Sequence, residues 1–358
     1  MTASDKAIDR DGPFRNGEVG LSEISGHNEL MVCSYHDRGS DDWCRHLLSG
    51  LNYKEVSAGS PPKVMPNTLY AVCTNTVKLQ AIPVWFYEEV RRTPGVGLLH
   101  LSDEWFGEDY NCYRAFSFVL RMYYSRLLDR PGVLNVPLGV IGFAPSRDIV
   151  PSSSRRFVWS YFGTLLASRP DMLAAFSSLL PSCSIDRRGN GRVTRPEFLE
   201  ILGNSVFAPA PMGNVMLETW RLYEALEYGC IPIVERRVSM DYFHDLLGDH
   251  PIPCFGSWRQ ARRFVEDLMN RPRDLDALQL EVASWWSLEK VRWRDRVAAF
   301  VRGGLRGDYR AAMEGSRYPR GLARRFWQYS ELMRHHSPSA LRRRIARQCG
   351  RVVTRWRS

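Results

Sequence analysis

Gly213-Asn-Val-Met-Leu-Glu-Thr-Trp-Arg-Leu-Tyr-Glu-Ala-Leu-Glu-Tyr-Gly-Cys-Ile-Pro-Ile-Val234 reads as a helix that ends sharply and drops into a buried strand. Asn214 is a fair N-cap. Gly229 follows the last helical residue, where a left-handed glycine closes many helices. Residues 230–234 then form an apolar run of the kind a parallel sheet buries on both faces. Helix followed by buried strand is the repeating unit of an α/β layer.

The same alternation extends to both sides. Residues 29–35, 69–73 and 96–101 are strand-like, 41–51, 83–92 and 116–128 have helical spacing, and 133–141 is extended. Residues 145–156 are rich in Pro, Ser and charge and read as a linker. Beyond it, 157–162 and 205–208 are strand-like, 170–180 helical, 240–247 helical, 252–255 extended, and 258–269 and 275–301 helical. The expected fold class is therefore α/β. It has a loose tail over 1–27, a first domain over 28–147, a second over 155–301 and a basic tail over 302–358. Two such units leave a cleft between them, where ligands of these folds bind.

Composition supports this frame. The chain has 358 residues, 44% of them hydrophobic, enough for a sizeable core and too apolar for disorder. The net charge is +10, with much of the excess at the end of the chain, which favours anionic partners. The eight cysteines include no Cys-x-x-Cys pair, which argues against a zinc cluster or a thioredoxin-like site. No run of about 18 apolar residues occurs, and the first twenty residues lack the apolar core of a signal peptide.

Within the opening stretch, Thr219, Arg221 and Glu224 are polar where a plain core helix prefers aliphatics. Gly213 makes the approach flexible. The free N–H groups of the helix N-terminus favour an anion such as a pyrophosphate at the cleft. Arg221 adds a formal positive charge. Glu224, on the same side, suits a ribose diol. The competing reading is a simple Arg221–Glu224 pair on a solvated face. The apolar flanks (Leu217, Trp220, Leu222, Tyr223, Ala225, Leu226) favour a half-buried, ligand-facing Glu224.

Residues 218–234 resemble the donor-binding motif of the exostosin-type glycosyltransferases: an Arg, then Glu-Ala-Leu, then Gly-Cys-Ile-Pro and an apolar strand. Gly97–Glu104, Arg121–Tyr124, Val136–Gly139, Arg156–Thr164 and Ser168-Arg169 are similar to segments of the ribitol xylosyltransferase branch. The resemblance spans roughly residues 30 to 270. It implies two Rossmann-like domains facing a cleft, the GT-B architecture. It implies a UDP-sugar donor, with xylose as the favoured sugar, no tightly bound cofactor and no required metal. Arg221 and Glu224 carry over as diphosphate and ribose contacts. The relatives reside in the Golgi behind an N-terminal membrane anchor, and this sequence begins without one.

Other residues complete the expected site. His100, Asp103 and Glu104 follow a strand of the first domain and are the candidates for the base that takes the acceptor proton. His36-Asp37 occupies an equivalent place after the first strand. Arg155, Arg156 and Arg169 flank the start of the second domain, placed to neutralise a diphosphate. Tyr110, Asn111 and Tyr113, with Tyr123 and Tyr124, offer aromatic and polar surface to a sugar acceptor. Residues 186–197 space like an EF-hand loop, but Arg188 stands at the third position and the loop is net positive, so a basic turn near the phosphates fits better than calcium. The tail beyond Leu322 reads first as a solvated, partly disordered segment; the alternative is an amphipathic basic helix on an anionic membrane surface, and no nucleic-acid motif is present. The reading that emerges is a transferase moving a sugar from a nucleotide-sugar donor to a glycan or polyol-phosphate hydroxyl. The alternative is a catalytically inactive nucleotide- or glycan-binding protein of the same fold.

Overall fold

The computed structural model describes residues 30–34, 41–57, 63–144, 149–186 and 193–343. The first domain opens with β1 (Leu30–Ser34), α1 (Asp41–Leu48), β2 (Tyr53–Ser57) and β3 (Thr68–Cys73). It continues through α2 (Val84–Arg92), β4 (Gly97–Leu101), β5 (Phe118–Arg121) and β6 (Val133–Asn135). Its six strands are parallel, in the order β2-β1-β3-β4-β5-β6. The second domain contains β7 (Phe157–Phe162), α3 (Arg169–Phe176), β8 (Ser182–Ile185), α4 (Arg195–Gly203) and β9 (Ser205–Ala210). It goes on with α5 (Trp220–Glu227), β10 (Ile231–Glu235), α6 (Tyr242–Leu247), β11 (Cys254–Phe255) and α7 (Trp258–Met269). Its five strands are also parallel, in the order β11-β10-β9-β7-β8. Both domains thus share one doubly wound order, with the direction of winding reversing beside the first strand of each.

Long α8 (Pro272–Arg306) starts beneath the second domain and ends against the first, where Gly304 packs on the ring of Phe118. It stops at Gly307, which takes φ +86°. The chain then adds α9 (Arg310–Gly315) and α10 (Gly321–His335). Met313, Tyr318 and Leu332 join the buried cluster that runs from the first sheet to Leu222, Tyr223 and Tyr242 of the second domain. Residues 302–343 are therefore mostly helical, packed on the first domain by one side and exposed on the other, rather than a wholly solvated tail. Among the described residues no helix is long and apolar enough to cross a membrane.

Three expectations are corrected. Residues 116–128 are not a helix. Phe118–Arg121 is fully buried between β4 and β6, and Tyr123 at φ +65° takes a backbone no helix accepts. A short apolar run has no periodicity of its own to separate the two states. The strand over 133–141 ends at Asn135, with Gly139 turning at φ +63° beneath Trp43. The helix of the opening stretch begins at Trp220, with Thr219 rather than Asn214 as its N-cap. Val215, Met216 and Leu217 are buried in succession, which needs an irregular loop, and Gly213 N–H closes a turn on Met216 O at 2.6 Å. The edge strands β2 and β8 escaped the sequence reading because they are short and carry few apolar residues, and α4 begins within the segment 186–197, which reads in sequence only as a turn. The first tail, His36-Asp37, Arg188 and the last residues from 344 lie outside the described residues.

Candidate active site

The carboxyl ends of β7 and β9 mark the winding reversal of the second sheet, the place where open α/β sheets bind ligands. A cavity of about 840 Å³ lies there. Gly213, Asn214, Thr219, Arg221, Glu224 and Arg169, the six expected donor-binding residues, all line it. So does Glu104, from the loop after β4 of the first domain.

The anion end is built by α5. Thr219 caps the helix with backbone only, and its Oγ1 is buried without a hydrogen-bond partner among the described residues. The first helical N–H groups therefore have no side-chain cap and lie at the cavity wall with Trp220 and Arg221. Arg221 donates from Nε and Nη2 to Phe162 O at the end of β7, at 3.2 and 2.8 Å, and its guanidinium lies 4.7 Å above the Tyr161 ring. Gly163 makes that approach possible, since a Cβ there would stand 2.6 Å from Arg221 Nη2. Arg169 ties the two loops at the reversal together, donating to Met212 O at 3.2 Å and Thr164 O at 2.7 Å. Arg155, by contrast, is spent on carbonyls of Val150, Ser205 and Tyr228 and is a structural cation away from the cavity. Arg156 stacks on Phe157.

Glu224 sits about one turn into α5, buried at the wall, and pairs at 2.9 Å with Arg195 Nη1 at the start of α4. Its partner is thus Arg195, and the competing reading of an Arg221–Glu224 pair gives way to two residues with separate partners. Val193 and Thr194 accompany Arg195 on the cavity wall. Thr194 and Glu197 form a reciprocal cap on α4, so Glu197, the twelfth position of the calcium-like spacing, is engaged in helix capping. Among the described residues no group of three or more His, Cys, Asp or Glu is placed to hold a metal ion.

The three candidate bases separate clearly. Asp103 is buried, bonded to Tyr110 Oη and Gly107 N–H and paired with the fully buried Arg121 at 3.4 Å. Burial still raises its carboxyl to about 6. His100 is buried against Tyr113 Oη, and burial with the nearby Arg121 charge holds it neutral. Neither lines the cavity. Glu104 does. Its Oε1 accepts Asn214 N–H at 3.2 Å across the cleft, and burial raises its pKa above the ordinary carboxylate range. The expected acceptor residues divide likewise. Tyr110 and Tyr113 are core rings around Arg121, and Asn111 bonds to Asp109. Tyr123 reaches the cavity.

Glu218 was missed. Buried at the cavity floor, it accepts Leu138 N–H from the first domain at 2.9 Å, Tyr242 Oη at 2.7 Å and Tyr223 Oη. It staples the domains together, and its only sequence signal was a carboxylate one residue before the cap. Arg126 and Asp245 add a bidentate bridge, at 3.1 and 3.2 Å.

No protein-family model matches the chain, and no curated protein matches it in sequence. Solved structures do overlap it. An O-GlcNAc transferase mutant of Thermobaculum terrenum shares 11% identity at TM-score 0.47, over 80% of this chain and 69% of that one. T4 phage BGT with UDP-glucose shares 9% at 0.42, over 76% and 99%. HepE of Anabaena with UDP shares 8% at 0.41, over 77% and 100%. None of the three overlaps this backbone closely enough to lend it an activity.

Proposed function

We propose that this chain is a glycosyltransferase of GT-B type that moves a sugar from a UDP-sugar to an acceptor hydroxyl. The observation that carries the reading is the convergence of six donor-site residues from the second domain and one carboxylate from the first on a single cavity at the winding reversal. The diphosphate would lie at the N-terminus of α5, against Thr219 and Arg221. Glu224 would hold the ribose once Arg195 turns from it to the ligand. The acceptor oxygen attacks the anomeric carbon, the bond from that carbon to the diphosphate oxygen breaks, and the acceptor proton passes to Glu104. Helix N–H groups and guanidinium charge stabilise the leaving diphosphate, the largest electrostatic demand of the step. A partly buried Glu104 of raised pKa is a better base than an exposed one.

The finer reading rests on the sequence resemblance. It favours an exostosin-type enzyme of the xylosyltransferase branch, xylose as the donor sugar, a glycan or polyol-phosphate acceptor, activity without a bound metal, and residence in the Golgi. A panel of UDP-sugars tested for binding and UDP release, wild type beside Glu224→Ala, checks it. Saturable binding lost in the variant, with UDP release by the wild type, supports a transferase and names the donor. Binding without release for any acceptor supports the inactive binding protein. No binding of any nucleotide sugar removes the donor site.

A further inference from the structure

We propose that the outer face of α10 is a docking surface for an anionic lipid bilayer. The helix is amphipathic in the wrong sense for water. Its inner side carries Glu331, Leu332 and His335, all buried, with Trp327 packed on Phe106 and Tyr110. Its outer side carries Leu322, Phe326 and Tyr329, 82%, 75% and 62% exposed. The spacing, i, i+4 and i+7, sets the three side chains in one stripe. Apolar residues scattered singly over a surface are ordinary, but an aligned stripe marks a contact.

Charge decides what covers the stripe. Residues 320–358 hold eleven arginines and one acid, Glu331, so this stretch carries the whole +10 of the chain and the preceding residues are balanced. Exposed Arg320, Arg325 and Arg334 flank the stripe itself, and Arg342 follows. An apolar stripe between cations fits the boundary of an anionic bilayer, where the rings enter the acyl edge and the guanidinium groups meet the phosphates. A second copy of the chain would bring the same positive charge against it. A nucleic acid would satisfy the arginines and leave the stripe in water. The helix also runs beside the cavity. Gln328 Nε2 donates to Trp105 O, next to Glu104, at 2.8 Å, and Leu217 N–H, next to Glu218, donates to His335 Nδ1 at 3.2 Å. Docking there brings the cavity close to the lipid surface, and it stands whether or not the sugar-transfer reading does.

The test is flotation of the full chain with phosphatidylcholine vesicles and with phosphatidylcholine–phosphatidylglycerol vesicles, wild type beside the triple variant Leu322→Gln, Phe326→Gln, Tyr329→Gln. All three positions are solvent-facing, and circular dichroism and the melting temperature confirm the fold. The expected result is wild-type flotation with the anionic vesicles only, weakened at least about tenfold in the variant. Equal flotation of wild type and variant would assign binding to the arginines alone and overturn the role of α10. No flotation of the wild type overturns the proposal, whether a gel shift with duplex DNA or RNA shows a nucleic-acid partner or sedimentation shows a dimer that the variant dissolves.

Discussion

Gly163 shows how much of the site hangs on one residue. It stands at the end of β7, and a Cβ there would meet Arg221 Nη2 at 2.6 Å and Tyr161 Oη at 2.8 Å. Gly163→Ala must push the guanidinium off Phe162 O. The expected outcome is about tenfold weaker UDP binding by titration calorimetry, the value of one charged hydrogen bond, with the melting temperature unchanged. An unchanged affinity would take Arg221 out of the site. Glu104 makes a second prediction. Glu104→Gln should lower kcat by about 10² to 10⁴ while leaving the donor KM in place. Because burial raises this carboxyl above its ordinary 4.5, wild-type activity should fall on acidification at a higher pH than an exposed glutamate would dictate. A variant retaining full kcat would return the base to another group. These two residues sit side by side with near neighbours of no such role, and only geometry tells them apart: Glu104 faces the cavity, Asp103 the buried Arg121.

At the scale of elements, α10 and α8 are the pieces that hold the halves in place. His335 closes α10 on the loop before α5, accepting Leu217 N–H, which needs an unprotonated Nδ1. Burial, with the charges of Arg237, His336 and Arg334 close by, lowers its pKa from 6.5 to about 3, and the Tyr242 ring covers it. Between those values the unfolded chain binds a proton that the folded chain does not. Stability is therefore lost as pH falls through this window, by about 1.4 kcal/mol per unit from this group. Urea unfolding from pH 7 to 4 should show that slope in the wild type and a flatter one in His335→Gln; parallel slopes would clear His335 of the effect. For α8, Gly304→Ala would set a Cβ 2.1 Å from the Phe118 ring, in the middle of a buried sheet. A loss of about 1 to 3 kcal/mol is expected in the same assay, since a packed core resists an added methyl. A neutral effect would mean that α8 is free to slide.

Over the whole molecule, one buried cluster continues from the first sheet through residues 210–252 to α8 and α10. Glu218 and the Arg126–Asp245 bridge cross the same boundary. The two domains should therefore melt in one calorimetric transition, raised by UDP by about 2.7 kcal/mol of stability at a hundredfold excess over Kd. Two transitions, with only the later one moved by UDP, would show domains that fold apart. What the sequence by itself determined was the alternation of helix and buried strand, the Gly229 cap and the cluster of polar residues from Gly213 to Glu224. Those are local: periodicity, a left-handed glycine and neighbours along one short segment carry them without reference to the rest of the chain. Tertiary structure alone decided that 118–121 is a strand, that Arg195 rather than Arg221 pairs with Glu224, and that Glu104 rather than Asp103 reaches the cavity. Ser102 and Phe106 take φ of +63° and +48°, so the direction of each side chain in that loop follows no period. It is set by partners far along the chain, Arg121 pulling Asp103 inward and Asn214 meeting Glu104 across the cleft, and such pairings exist only once the two sheets have come together.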